Sequence, residues 1–256
     1  MQNLALIKLG GSVVTFKDRP VTANTEAIDK ISLSLRQLQV PIIIVHGGGS
    51  FGHYWSVQYD MHTKPASYDA RGVSVAHESM VALNQIIVSS MIAASLNPYG
   101  IPPSVITTDS RPIPAKIRQL YEMSKSKVIP VTFGDVVHTK GSRYSILSGD
   151  SLMTILAKAL RPSRVIFATN VDGIFKDLIT RELLKEINIK HKSKIRFTVG
   201  AAADATGGMR RKVTEAFKIA SHGMDVLMVN GLRPERIVEA VLGRPTMGTV
   251  VRGGAR

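Results

Sequence analysis

Cysteine is absent from all 256 residues of the sequence. That excludes disulfides, thiolate catalysis and cysteine-ligated metal sites. Long apolar runs are missing too. The most extended one, residues 83–96, is broken by Asn84, Gln85, Ser89 and Ser90, well short of the roughly 20 uninterrupted apolar residues that a bilayer crossing needs. The opening MQNLALIKLGG runs straight into a strand pattern without the layout of a secretory leader, so a cytoplasmic chain with no membrane partner is expected. Aromatic residues make up only 5%, and acidic side chains are scarce, 19 against 33 Lys and Arg, leaving a net charge of +14. Such a charge attracts polyanions. Yet the sequence lacks zinc-finger spacing and aromatic-rich RNA-binding signatures, and its basic residues are dense only at 190–196 and 210–212. A basic enzyme with phosphorylated substrates accounts for the charge equally well, and no specific nucleic-acid partner is expected.

What is present is glycine at turns. Residues 42–45 form a short β-branched run that reads as a strand buried on both faces. Gly47, Gly48 and Gly49 end it, allowing a ligand close approach to several backbone N–H groups. Ser50 is placed to cap a following helix, and a helix N-terminus there suits a phosphate. His53, with Gly52 beside it, can donate a hydrogen bond to a phosphate oxygen.

The rest of the chain alternates strands and helices. Residues 4–9 read as a first strand, ended by Gly10, Gly11 and Ser12. Lys8 within it either meets an anion or snorkels from an edge; Lys17 follows closely enough to face the same crevice. Residues 25–40 read as an amphipathic helix, and the 42–45 strand then returns parallel to the first. The segment 56–72 reads as loop and 77–96 as a long helix. Residues 102–107 and 127–132 read as strands, and 136–147 as a hairpin turning at Lys140-Gly141. Ser148-Gly149-Asp150 opens a helix over 151–160. Residues 164–169 are a buried strand ending in Asn170-Val171-Asp172-Gly173, where open α/β sheets bind ligands. Residues 195–199 are ambiguous. Thr206-Gly207-Gly208-Met209 precedes a basic helix over 210–221, followed by a strand at 225–229, a helix at 234–242 and a last strand at 248–251. The alternation predicts an α/β fold with an open, mainly parallel sheet covered by helices on both faces.

The single-loop phosphate motif GxxxxGK[ST] is absent. Phosphate-approach turns are instead distributed, with Lys8, Lys17 and Lys212 near them. That arrangement suits two phosphorylated molecules held end to end, the geometry of phosphoryl transfer.

The segments KLGGS (8–12), HGGGSFGH (46–53), SGD (148–150), NVDG (170–173) and TGGMRRK (206–212) together resemble the amino acid kinase superfamily, and HGGGSFGH narrows the resemblance to isopentenyl phosphate kinases. The fosfomycin-modifying kinases share that histidine. The resemblance runs from about Leu4 to Val251. It implies a three-layer α/β/α sandwich forming one domain over 1–256, with an acceptor lobe to about residue 147 and an ATP lobe from 148, in a homodimer. The implied reaction is ATP-dependent phosphorylation of isopentenyl phosphate to isopentenyl diphosphate with Mg²⁺. Another small-molecule kinase of the superfamily, for fosfomycin or uridylate, and a non-catalytic sensor of the same fold are the alternatives.

The resemblance also implies roles. Lys8, Lys17, His53, Asp150 and Lys212 form the catalytic set. Lys8, Gly10, Gly11, Ser12, Gly49, Asp172, Gly173, Gly207, Gly208 and Lys212 bind ATP. Gly48, Gly49, His53 and Gly149 hold the acceptor phosphate, and Val73, Ala76, Val131 and Ile146 line its hydrocarbon pocket. Mg²⁺ is expected to ride mainly on the phosphates, since no protein carboxylate cage stands out. Ser151 stands where relatives often carry a second aspartate, and Arg210 and Arg211 make the last segment unusually basic.

Overall fold

A computed structural model describes residues 3–109, 111–141, 143–177, 182–188 and 208–254. Its centre is an eight-stranded sheet. Across it the strands run Glu186–Asn188, Gly248–Arg252, Val226–Asn230, Arg164–Thr169, Ala5–Leu9, Ile42–His46, Ile129–Phe133 and Pro98–Ile101. Every neighbouring pair is parallel except Gly248–Arg252 against Val226–Asn230.

Strand alternation divides the core in two. Ala5, Ile7, Leu9, Ile42 and Ile44 face the helices Thr25–Leu35, Ala70–Ala93 and Pro234–Leu242. Leu6, Ile43, Val45, Val165 and Phe167 face the helices Pro114–Lys125, Gly149–Leu160 and Gly208–Ala220. Both sheet faces are therefore apolar and both are covered, which gives the α/β/α sandwich. Among the described residues no helix is long and apolar enough to cross a membrane.

The pattern-based expectations differ from the structure at several boundaries. The helix expected over 25–40 stops at Leu35, with Arg36 as its C-cap. The long helix begins at Ala70, where the loop was expected to extend to residue 72, because the Asp69 carboxylate accepts from Gly72 N at 3.0 Å and caps it. Residues expected to form a strand at 102–107 instead begin a short helix, Pro103–Ile106; the strand is Pro98–Ile101. Two prolines cannot donate ladder bonds, and one at the first helical position is well placed. The helix Pro114–Lys125 carries no sequence expectation. The hairpin is present as Asp135–Thr139 paired with Arg143–Leu147. Residues 190–199, Thr206 and Gly207 lie outside the described residues.

Candidate active site

Lys8 sits on the sheet face covered by the helix Gly149–Leu160, because it shares the parity of Leu6. Its ammonium meets the Asp150 carboxylate at 2.5 Å, and both groups are buried. Burial alone would push the Asp150 carboxyl up. The charges of Lys8 and Lys212, the Lys8 hydrogen bond and Arg211 together hold it below the usual carboxylate range. Ser148 caps the helix, its hydroxyl accepting from Ser151 N at 3.1 Å, which fixes where Asp150 stands in the first turn.

Three glycine turns close around this pair. A Cβ on Gly149 would lie 2.9 Å from Lys8 Cε, and one on Gly47 would lie 3.6 Å from Lys8 Nζ. The lysine therefore runs between these two backbones. Gly49 adopts φ +50°, a left-handed conformation that glycine adopts at little cost. The Thr15 hydroxyl donates to Gly11 O at 2.7 Å and accepts from Ser50 N at 2.9 Å, stitching the first turn to the triplet. The expected Ser50 cap is not formed. The helix Gly49–Gln58 starts two residues earlier with Gly48 as N-cap, and the Ser50 hydroxyl instead bonds both backbone groups of Thr22.

Lys212 lies early in the helix Gly208–Ala220 and is half-buried. Burial lowers its pKa; Asp150 opposes this, while Lys8, Lys17 and Arg211 lower it further. Lys17 is exposed on the loop after the first turn. Glu215, a residue the sequence patterns did not mark, is buried and accepts from Thr154 Oγ1 at 2.6 Å and Lys218 Nζ at 2.7 Å. It locks the Lys212 helix against the Asp150 helix. Its only sequence signal was a carboxylate on the apolar side of an amphipathic helix.

At the other strand ends, Ser12 Oγ bonds Asn170 Oδ1 at 3.0 Å. Asp172 accepts from Asn230 Nδ2 at 3.0 Å and pairs with Arg236 Nη1 at 2.5 Å, two bonds that hold its carboxyl below the ordinary range. Asp172 thus ties two strand ends to the helix Pro234–Leu242. A Cβ on Gly10 would come within 2.7 Å of Ala168 O, and one on Gly173 within 2.5 Å of Thr249 Oγ1.

His53 is exposed on the helix that leaves the triplet. Met80 Sδ packs against Gly48 and Gly52, and Ser79 Oγ donates to Phe51 O at 3.1 Å. Those contacts fix the helix Ala70–Ala93 over the glycine triplet. Further along both helices lies a packed apolar cluster, the candidate hydrocarbon chamber. Val73, Ala76 and Ile146 cluster there with Met61, Val136, Trp55, Tyr59, Tyr68 and Tyr144. Val131 does not join them: it is fully buried between the sheet and the long helix, among Ile44 and Leu83. The chamber adjoins the Lys8 site, because Gly134, two residues before Val136 in the chain, abuts Gly149 and donates to His46 O at 3.2 Å.

Two polar pairs carry no expectation from the sequence, one of them fully buried and one with only its carboxylate buried. His46 stacks on Phe133 with centroids 5.2 Å apart, and its ring nitrogens bond Gly47 O and Asn84 Nδ2, both at 3.2 Å. His77 Nδ1 meets Asp135 Oδ2 at 2.6 Å, linking the long helix to the hairpin. Asn84 looked like an interruption of an apolar helix, and only its register with His46 explains it.

Residues 3–230 match the family model described as the amino acid kinase family. The sequence is 32% identical to the isopentenyl phosphate kinase of Thermoplasma acidophilum, over 97% of this chain and all of that one. It is 28% identical to the isopentenyl phosphate kinase of Methanocaldococcus jannaschii, over 94% and 95%. A crystal structure of an isopentenyl phosphate kinase substrate complex superimposes with a TM-score of 0.80 at 30% identity, covering 98% of this chain and all of the other.

Proposed function

Because the chain belongs to the amino acid kinase family, and within it to the isopentenyl phosphate kinases, we propose that it transfers the γ-phosphoryl group of ATP to isopentenyl phosphate. The products are isopentenyl diphosphate and ADP. The observation that carries the acceptor assignment is the chamber beside the glycine turns. Its clustered residues are aliphatic, aromatic or Met, which suits a short hydrocarbon.

In this reading an acceptor phosphate oxygen attacks the γ-phosphorus, the bond to the β,γ-bridging oxygen breaks, and ADP leaves with that electron pair. The nucleophile is already an anion, so no general base is required. The protein aligns two phosphorylated molecules and neutralises charge that spreads over the transferring group. Lys8 and Lys17 act on that group, and Lys212 on the ATP phosphates. Asp150 is a positioning residue that holds the Lys8 ammonium.

The backbones of Gly10, Gly11, Gly48 and Gly49, with Ser12, cradle phosphates. His53 and Gly149 hold the acceptor phosphate, and Gly173, Gly207 and Gly208 flank the nucleotide. Asp172 serves the nucleotide indirectly, through its bonds to Asn230 and Arg236. Among the described residues no three His, Asp or Glu side chains converge as a cage. This donor set fits Mg²⁺ carried by the phosphates, where it supplies further charge neutralisation.

A two-lobed single domain, cytoplasmic residence and a homodimer complete the proposal. Exposed Ile92, Val81 and Tyr99, on the long helix and the edge strand packed beside it, support the dimer. ADP release measured with isopentenyl phosphate, uridylate, fosfomycin and acetylglutamate in turn tests the assignment. The highest kcat/KM for isopentenyl phosphate is expected; a higher value for any other acceptor would overturn it.

A further inference from the structure

The hairpin that walls the chamber has a second face. Val136 and Ile146 pair across the strands and turn to the chamber, so the pairs Val137–Ser145 and Thr139–Arg143 turn away from it. On that far side lies an open groove of about 370 Å³ whose lining includes Arg111, Lys140, Arg143, Asp109, Thr139 and Ser145.

Three cationic side chains and one carboxylate line it. Asp109 Oδ1 accepts from Lys140 N at 2.6 Å, which joins the two banks of the groove. Arg143 Nε donates to Lys140 O at 3.3 Å, which restrains the guanidinium. None of the three cations forms an ion pair with a described residue. Beneath them, Thr139 and Ser145 are 6% and 3% exposed, and the Thr139 hydroxyl has no hydrogen-bond partner among the described residues. A buried hydroxyl without a partner costs stability, so an acceptor supplied from outside would relieve it.

We propose that this groove binds the phosphate group of a small phosphorylated anion, at a site separate from the transfer centre. Guanidinium and ammonium groups at the rim with hydroxyl donors below suit phosphate oxygens. The surplus of positive charge disfavours cations. A molecule bound there would touch the back of the strand pair whose front walls the chamber. The inference rests on the groove alone and not on the kinase reading.

Isothermal titration of the full chain with inorganic pyrophosphate, without Mg²⁺, tests it. The wild type should show two classes of site. Arg111→Ala/Arg143→Ala should lose one of them with its melting temperature and kcat unchanged. Thr139→Val keeps every charge and should weaken that same class tenfold or more. Retention of both classes by the double variant would overturn the proposal. So would wild-type affinity in Thr139→Val, since diffuse attraction to a basic surface would then suffice. The site count is read without turnover, so a failure of the kinase assignment would leave this result standing.

Discussion

Lys8 Nζ and Asp150 Oδ1 meet at 2.5 Å across 142 positions of sequence, with both side chains nearly sealed from water. The pair joins the first half of the chain to the second at the point where the glycine turns converge. Neither charge has bulk solvent to fall back on, so each depends on the other.

Breaking that dependence should separate stability from turnover. Removing one partner of a buried ion pair costs about 3–5 kcal/mol, so Asp150→Asn should lower the denaturation free energy by about that amount and kcat by on the order of a hundredfold. Lys8→Met/Asp150→Leu removes both charges and should recover much of the stability while leaving turnover abolished. Recovery of turnover in the double variant would show that Lys8 does not act on the transferring group.

His53→Ala should raise KM for isopentenyl phosphate about tenfold to a hundredfold, the loss of one charge-assisted hydrogen bond of about 1.5–3 kcal/mol. KM for ATP should hardly change, because the imidazole stands on the helix Gly49–Gln58, which packs against the helix Ala70–Ala93. Initial-rate kinetics with each substrate varied in turn read the two constants. A defect confined to ATP would reassign the histidine.

Acid should destabilise the fold through His46. Burial holds its imidazole down to about 4; the bond to Gly47 O opposes this and the nearby Lys8 charge adds to it. The unfolded chain, near the ordinary 6.5, takes up the proton first. Stability is therefore lost as pH falls from about 6.5 to about 4, by up to about 3 kcal/mol from this group. Urea denaturation across that range should show a steeper fall for the wild type than for His46→Gln. Equal slopes would mean that the buried ring does not control the acid limb.

The chamber predicts a limit on acceptor length. Ala76→Phe should reduce kcat/KM for geranyl phosphate far more than for isopentenyl phosphate, since each CH₂ denied burial forfeits about 0.8 kcal/mol. A melting curve run alongside separates pocket from packing. An unchanged ratio of the two substrates, with a lowered melting temperature, would make Ala76 a packing residue only.

Much of this architecture was legible in the sequence because strand and turn chemistry are local. Residues 42–45 are β-branched and end in three glycines, and the strand Ile42–His46 lies where that pattern put it. Lys8 was marked by its misfit in an apolar strand, and Asp150 by its place at a helix start. Their meeting was not legible, since it depends on sheet order and on which face of the strand carries even-numbered residues. His46–Asn84, His77–Asp135 and Glu215–Thr154 escaped for the same reason: each looks like an isolated polar residue until a distant partner is in register. Val131 sits mid-strand, where an apolar residue can face either side, and alternation puts this one under the long helix.

The account's central claim is the transfer itself, and ³¹P NMR of the full chain with ATP, Mg²⁺ and isopentenyl phosphate addresses it most directly. The acceptor's monophosphate resonance should be replaced by the two coupled resonances of a diphosphate ester as ADP accumulates in equal amount, with neither change when ATP or the chain is left out. Inorganic phosphate appearing from ATP while the monophosphate resonance persists would contradict it.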